Sequence, residues 1–126
     1  MSDAVAEPLD RGRQELLAAR ALLEGGFPSQ ALARAYFAAF HAASAALLAV
    51  GETPSTPAGV LAAFNRRVVH DDHLDPDHAR ALRKLFEDRN DVDYALAEAP
   101  DREAEVAIEQ AQALIDAVAV LLEPAA

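Results

Sequence analysis

Arg89, Asn90, Asp93 and Tyr94 crowd into one short stretch, "RNDVDYALAE" (residues 89–98), and each brings a group that can handle a phosphate or a proton. A guanidinium offers a fixed fork of donors to an oxyanion, an amide can orient one, and a phenol can donate a proton. Arg89 is also out of place: it falls on the apolar stripe of a helix, in register with Leu82, Leu85 and Leu96. Burying a guanidinium without partners is expensive, so the position requires carboxylates, a ligand or an interface. One reading pairs Arg89 with Asp93 one turn on, or lets it snorkel with only its stem covered. The other reading makes it a site residue. Asn90 and Tyr94 stand four residues apart and share a face. Arg89 and Tyr94 are five apart, so on a straight helix they point roughly 140° away from each other. They converge only where the helix distorts or a second copy supplies one of them, which favours a site built at a dimer interface. Taken alone, Tyr94 reads as a core tyrosine with a satisfied hydroxyl.

A second group of candidates lies in "RAYFAAFHAASAALL". His41 shares a helix face with Phe37, Ser44 and Leu48, and a lone histidine on an apolar helix is first a hydrogen-bonded core residue. Arg34, near the start of that helix, is either a surface residue or a phosphate ligand. "HDDHLDPDH" gathers His70, His73 and His78 with Asp71, Asp72, Asp75 and Asp77, yet the spacing matches no closed metal-ligand set, and a helix start separates His73 from His78. It reads as a solvated loop, so no metal and no other cofactor is expected. There is no Gly-rich phosphate loop, nucleophile elbow or zincin motif.

The elements that must position these residues are helices. "LDRGRQELLAARALLEGG" stops at Gly25-Gly26, and "FPSQALARAYFAAFHAASAALLAVG", apolar nearly all round, begins after Pro28 and ends at Gly51 as a central buried helix. "ETPSTPAG" reads as a loop and "VLAAFNRRVV" as a shorter helix. Asp75 is placed to cap the next helix, with Pro76 at its first position and Asp77 in its first turn. Pro100 closes that unit, and Asp101 is placed to cap a last helix running to Leu122. With no strand pattern, residues 1–126 are expected to form a single all-α domain, an antiparallel bundle of about five helices joined by short loops.

Composition narrows the function classes. Alanine-rich and 52% hydrophobic, the chain is not expected to be disordered. Without cysteine it has no disulfide and no thiolate chemistry. The uninterrupted apolar runs are short for a bilayer, and the acidic N-terminus lacks the form of a signal peptide, so a cytoplasmic location off the membrane is expected. The net charge of −10 is uneven: residues 87–126 hold eleven acids against two bases. That argues against broad nucleic-acid binding and leaves room only for a local basic pocket near Arg66, Arg67, Arg83 and Lys84.

Three segments together resemble the HEPN domain, a small helical domain found alone or beside minimal nucleotidyltransferases in prokaryotes. They are "ARAYFAAFHAASAALL", then "GETPSTPAGVLAAFNRRVV" as a loop and short helix, then "LRKLFEDRNDVDY"; the likeness covers residues 30 to 122. HEPN ribonucleases carry an Arg, a polar residue, three variable residues and a His. Arg89 matches the Arg and Asn90 the polar position, while Tyr94 stands where the His would be. The resemblance implies a toxin-like, metal-independent ribonuclease of a toxin–antitoxin module. Its polar residues, here Arg89, Asn90 and Tyr94, would assemble across a homodimer cleft, with a minimal nucleotidyltransferase as antitoxin and RNA as substrate. Arg34, His41 and Asp93 are secondary candidates for substrate binding. A tyrosine titrates near ~10 and is a poor base at neutral pH, so a non-catalytic HEPN module binding a nucleotide or partner is the alternative. A purely structural helical assembly protein, with Arg89 paired to Asp93, is the third.

Overall fold

Eleven residues of the central helix are buried, and eight of them are alanines. A helix so thin on every side lets its neighbours approach closely, and the rest of the fold follows from that. In a computed structural model, the backbone is described for residues 3–95 and 100–123 apart from 54 and 72, and side chains for 5–90 and 100–123 with the same two exceptions. The elements are α1 (Asp3–Glu24), α2 (Pro28–Ala49), α3 (Pro57–Ala63), a π-helical segment (Phe64–Val69), α4 (Pro76–Ala95) and α5 (Asp101–Leu121). The fold is all-α, with no strand among the described residues.

α2 packs most extensively on α1, then on α5, and α4 crosses it as well. Gly12 of α1 marks the tightest approach: a Cβ there would stand 2.9 Å from the Ala38 carbonyl oxygen and 3.7 Å from the Cβ of His41. Glu15 reaches Arg34 while Gly12 faces Ala38 and Ala42, so α1 and α2 run antiparallel. Leu9, Leu16, Leu32, Leu47, Phe64, Leu82, Leu85, Leu114 and Ile115 fill the space between the helices. By length and composition alone α2 is apolar enough to cross a membrane, which its short uninterrupted runs did not suggest. Of its most apolar window, 61% is buried inside the bundle, as expected of a core helix.

Several boundaries differ from the sequence reading, each for a local reason. α1 begins at Asp3, upstream of Leu9, with Pro8 inside it; a proline removes one backbone bond without ending the helix when packing holds both sides. Pro57–Gly59 is helical rather than loop, because Thr56 caps α3 by accepting the Gly59 N–H at 3.0 Å. Asp101 is the first residue of α5 and not its cap; Pro100 takes that position without a side-chain bond. Asp75 does cap α4, accepting the Asp77 N–H at 2.8 Å.

The expected short helix is two structures in series. After Ala63 the backbone widens: His70 N–H donates to the Asn65 carbonyl and His73 N–H to that of Val68, each five residues back at 2.9 Å. This wider turn points Arg67 at the end of α2, where it donates to the Val50 carbonyl at 3.0 Å and to Glu52 at 2.7 Å. Arg66 closes on the same Glu52 at 3.5 Å, and Lys84 pairs with Asp88. The four cations that the sequence left open as a basic pocket are thus divided, with Arg66 and Arg67 on Glu52 and Lys84 on Asp88.

Candidate functional site

Arg89 follows Leu82, Leu85 and Phe86 along one face of α4. The two leucines are buried and Phe86 packs against the core, so the stripe presses on the bundle and carries Arg89 onto α2. There its guanidinium carbon lies 4.9 Å from the ring centroid of Phe37 and 5.4 Å from that of Tyr36. An aromatic face attracts a cation through its quadrupole, by about 0.5–2 kcal/mol depending on desolvation. The shelf is itself closely packed: Tyr36, 2% exposed, sets its ring against Phe37, Phe40 and Phe86 at centroid distances of 5.3, 6.0 and 5.9 Å. Arg89 is partly buried, with its Nε shielded from solvent. Burial raises the Tyr36 phenol above its ordinary 10.0, and the Arg89 charge opposes that shift. The phenol therefore stays neutral beside the cation.

Arg34 meets the same Phe37 ring from α2 itself, its guanidinium carbon 5.4 Å from the centroid. Glu15 of α1 pairs with Arg34 at 3.2 Å. His41, two turns beyond Arg34, sits partly buried with its ring edge-on to Phe40 at 5.8 Å. Burial first, and the Arg11 charge second, push its pKa below 6.5, while Glu15 pulls it back up. Its imidazole is thus biased to the neutral form, which can accept a proton near pH 7. Arg34 and Arg89 thus meet at the Phe37 ring, Glu15 pairs with Arg34, and His41 follows Phe37 one turn on along α2.

Asn90 is partly buried one residue past Arg89 on α4. Asp93 and Tyr94 belong to the same helix, but their side chains lie outside the described residues, so Arg89, Asn90 and Tyr94 are brought together here only by backbone position. Among the described residues no group of three or more His, Asp or Glu side chains could hold a metal ion.

A family model for the HEPN domain matches residues 5–121, nearly the whole of this bundle. The chain belongs to the HEPN domain family. A protein of Methanocaldococcus jannaschii named "Putative toxin" is 31% identical over 110 residues, covering 87% of this chain and 82% of that one. A "UPF0332 protein" of Thermotoga maritima is 35% identical over 114 residues, 90% of this chain and 86% of its own. A shorter match, 36% over 69 residues, reaches a Pyrococcus horikoshii protein of the same designation.

Within this HEPN bundle the structure brings Arg34 and Arg89 together at Phe37, with His41 one turn beyond that ring on α2. Two contributors escaped the sequence reading: the Tyr36–Phe37 shelf as the seat of Arg89, and Arg11 with Glu15 as neighbours of His41 and Arg34. The signal for the second pair was Gly12. A glycine inside a helix leaves room for a close neighbour, but it does not say which helix fills that room.

Proposed function

We propose that this chain is a toxin-like HEPN ribonuclease of the prokaryotic cytoplasm, cleaving RNA without a metal in a cleft shared by two copies of a single-domain protein. The observation that carries it is the seating of Arg89, a cation placed where α4 would otherwise carry a leucine and held on two aromatic rings at 4.9 and 5.4 Å. Such a cation is pre-positioned, so it stabilises a developing phosphorane charge without reorganising during the reaction. In this reading the ribose 2′-oxygen attacks the adjacent phosphorus and the 5′-oxygen leaves. Arg89 balances the added charge, and Asn90 orients a phosphate oxygen. Tyr94, a weak base, serves as the donor of a proton to the leaving oxygen or holds the phosphate. His41, biased to its neutral form, suits the acceptance of the 2′-hydroxyl proton. The relative named as a toxin supports pairing with an antitoxin, for which a minimal nucleotidyltransferase is the proposed partner.

The second reading is a HEPN module that binds RNA or a nucleotide without turnover, favoured by Tyr94 in the place of the motif histidine and by the net charge of −10. Labelled single-stranded RNA incubated with the purified protein in excess EDTA separates the two. Cleavage that persists in EDTA, and that Tyr94→His accelerates at neutral pH, is the expected result. Binding without cleavage in both proteins would replace it with the second reading, and neither binding nor cleavage would remove both.

A further inference from the structure

Two guanidiniums address one ring. Arg34 and Arg89 come from different helices, yet their Cζ atoms stand 5.4 and 4.9 Å from the same Phe37 centroid, and so no more than about 10 Å from each other. Arg89 belongs to the site already described. Arg34 is covered by a carboxylate of the protein itself: its Nη1 lies 3.2 Å from Oε2 of Glu15 and 3.5 Å from Oε1. Both contacts use a single nitrogen, so the two-pronged geometry that makes arginine–oxyanion pairs strong is not engaged. The pair is also open to water, with Arg34 46% and Glu15 26% exposed, and exposed pairs are weak and screened by salt. Glu15 is held in reach by the backbone, one turn from Gly12, where α1 lies tightest on α2.

We propose that Arg34 is a second phosphate contact beside Arg89, and that Glu15 is an intramolecular stand-in for that phosphate, displaced when a single-stranded RNA binds. The inference rests on the RNA reading above and adds a regulated step to it. A strand presents successive phosphates and can meet both cations at once. A lone mononucleotide meets one cation only and gains less from opening the Glu15 pair. In a chain this acidic, masking Arg34 until a polyanion of sufficient length arrives also lowers its affinity for stray anions.

The test is a salt titration of binding to a short, fluorescein-labelled oligouridylate with 2′-O-methyl riboses, which cannot be cleaved through the 2′-oxygen. Arg34→Gln is expected to weaken binding and to reduce the log–log salt slope by about 0.7, one phosphate contact on a single strand. Glu15→Gln is expected to tighten binding about threefold, the scale of an exposed ion pair, with the slope unchanged. Combined with Arg34→Gln, the Glu15→Gln gain should vanish. A gain that survives in the double variant would mean a long-range charge effect and would overturn the latch. Binding that needs Arg89 but ignores both Arg34 and Glu15 would overturn the latch and leave the RNA reading standing. No binding by the parent or by Glu15→Gln would sink the RNA reading and the latch with it.

Discussion

Arg89→Leu is expected to abolish RNA binding and cleavage while the fold survives. The position belongs to a stripe that already carries Leu82 and Leu85, both 1% exposed, so a leucine continues what the helix is doing. The substitution loses the cation–aromatic attraction to Tyr36 and Phe37, about 0.5–2 kcal/mol, and with it the further interaction that Arg89 makes. It gains apolar burial on the same shelf, up to about 1.5–3 kcal/mol if the side chain becomes fully covered, and removes the cost of keeping a guanidinium partly out of water. These opposing terms nearly cancel. Function does not have that compensation: removal of a pre-positioned charge from a reacting oxyanion costs roughly a hundredfold or more in rate. If Arg89 were instead one half of a buried structural pair with Asp93, the same change should cost about 3 kcal/mol or more. Melts run beside an RNA assay distinguish the two, and strong destabilisation with no assayable function lost would contradict a site role.

Gly12→Val carries the largest expected cost to the fold. A Cβ at this position meets the Ala38 carbonyl oxygen at 2.9 Å, a backbone atom that cannot rotate away, and valine adds two methyls beyond it. Helix propensity favours replacing glycine, by up to about 1 kcal/mol for alanine, so the two effects oppose each other and their balance is informative. Overpacking a tight contact costs about 1–3 kcal/mol, enough to outweigh propensity for valine and to lower the melting temperature by roughly 10 °C. Gly12→Ala should also lower it, by less. A rise with alanine would show that α1 and α2 do not lie as close as the carbonyl contact requires. Both changes push α1 outward and should disturb the strip where Glu15 and Arg11 meet α2.

Most of the helices were legible because their ends are written in chemistry that acts locally. Gly25-Gly26 stops α1, Pro28 opens α2, and Asp75-Pro76 opens α4, each through a backbone preference of the residue itself. The π-helical widening after Ala63 was not legible, because one extra residue in a turn leaves the apolar spacing of Phe64, Val68 and Val69 consistent with an ordinary helix. The Pro100 cap was missed for a related reason: an aspartate beside a proline at a helix start suits either the capping position or the first turn. The site divides the same way. Arg89 announced itself by being the wrong residue type on a regular stripe, whereas its seat on Tyr36 and Phe37 depends on how α4 crosses α2. Glu15 and Arg34 are nineteen residues apart, and only the antiparallel packing of α1 on α2 joins them.

The central claim, that Arg89 serves a cleft completed by a second copy, is tested most directly by mixing two defective chains. On a straight helix Arg89 and Tyr94 diverge by roughly 140°, so a working site would take the arginine from one copy and the tyrosine from the other. Arg89→Leu and Tyr94→Ala should each be inactive alone. After subunit exchange, half of the dimers combine both chains and hold one intact site of two, so about a quarter of the parent RNA-cleaving activity should return. A mixture no more active than its components would contradict the shared cleft.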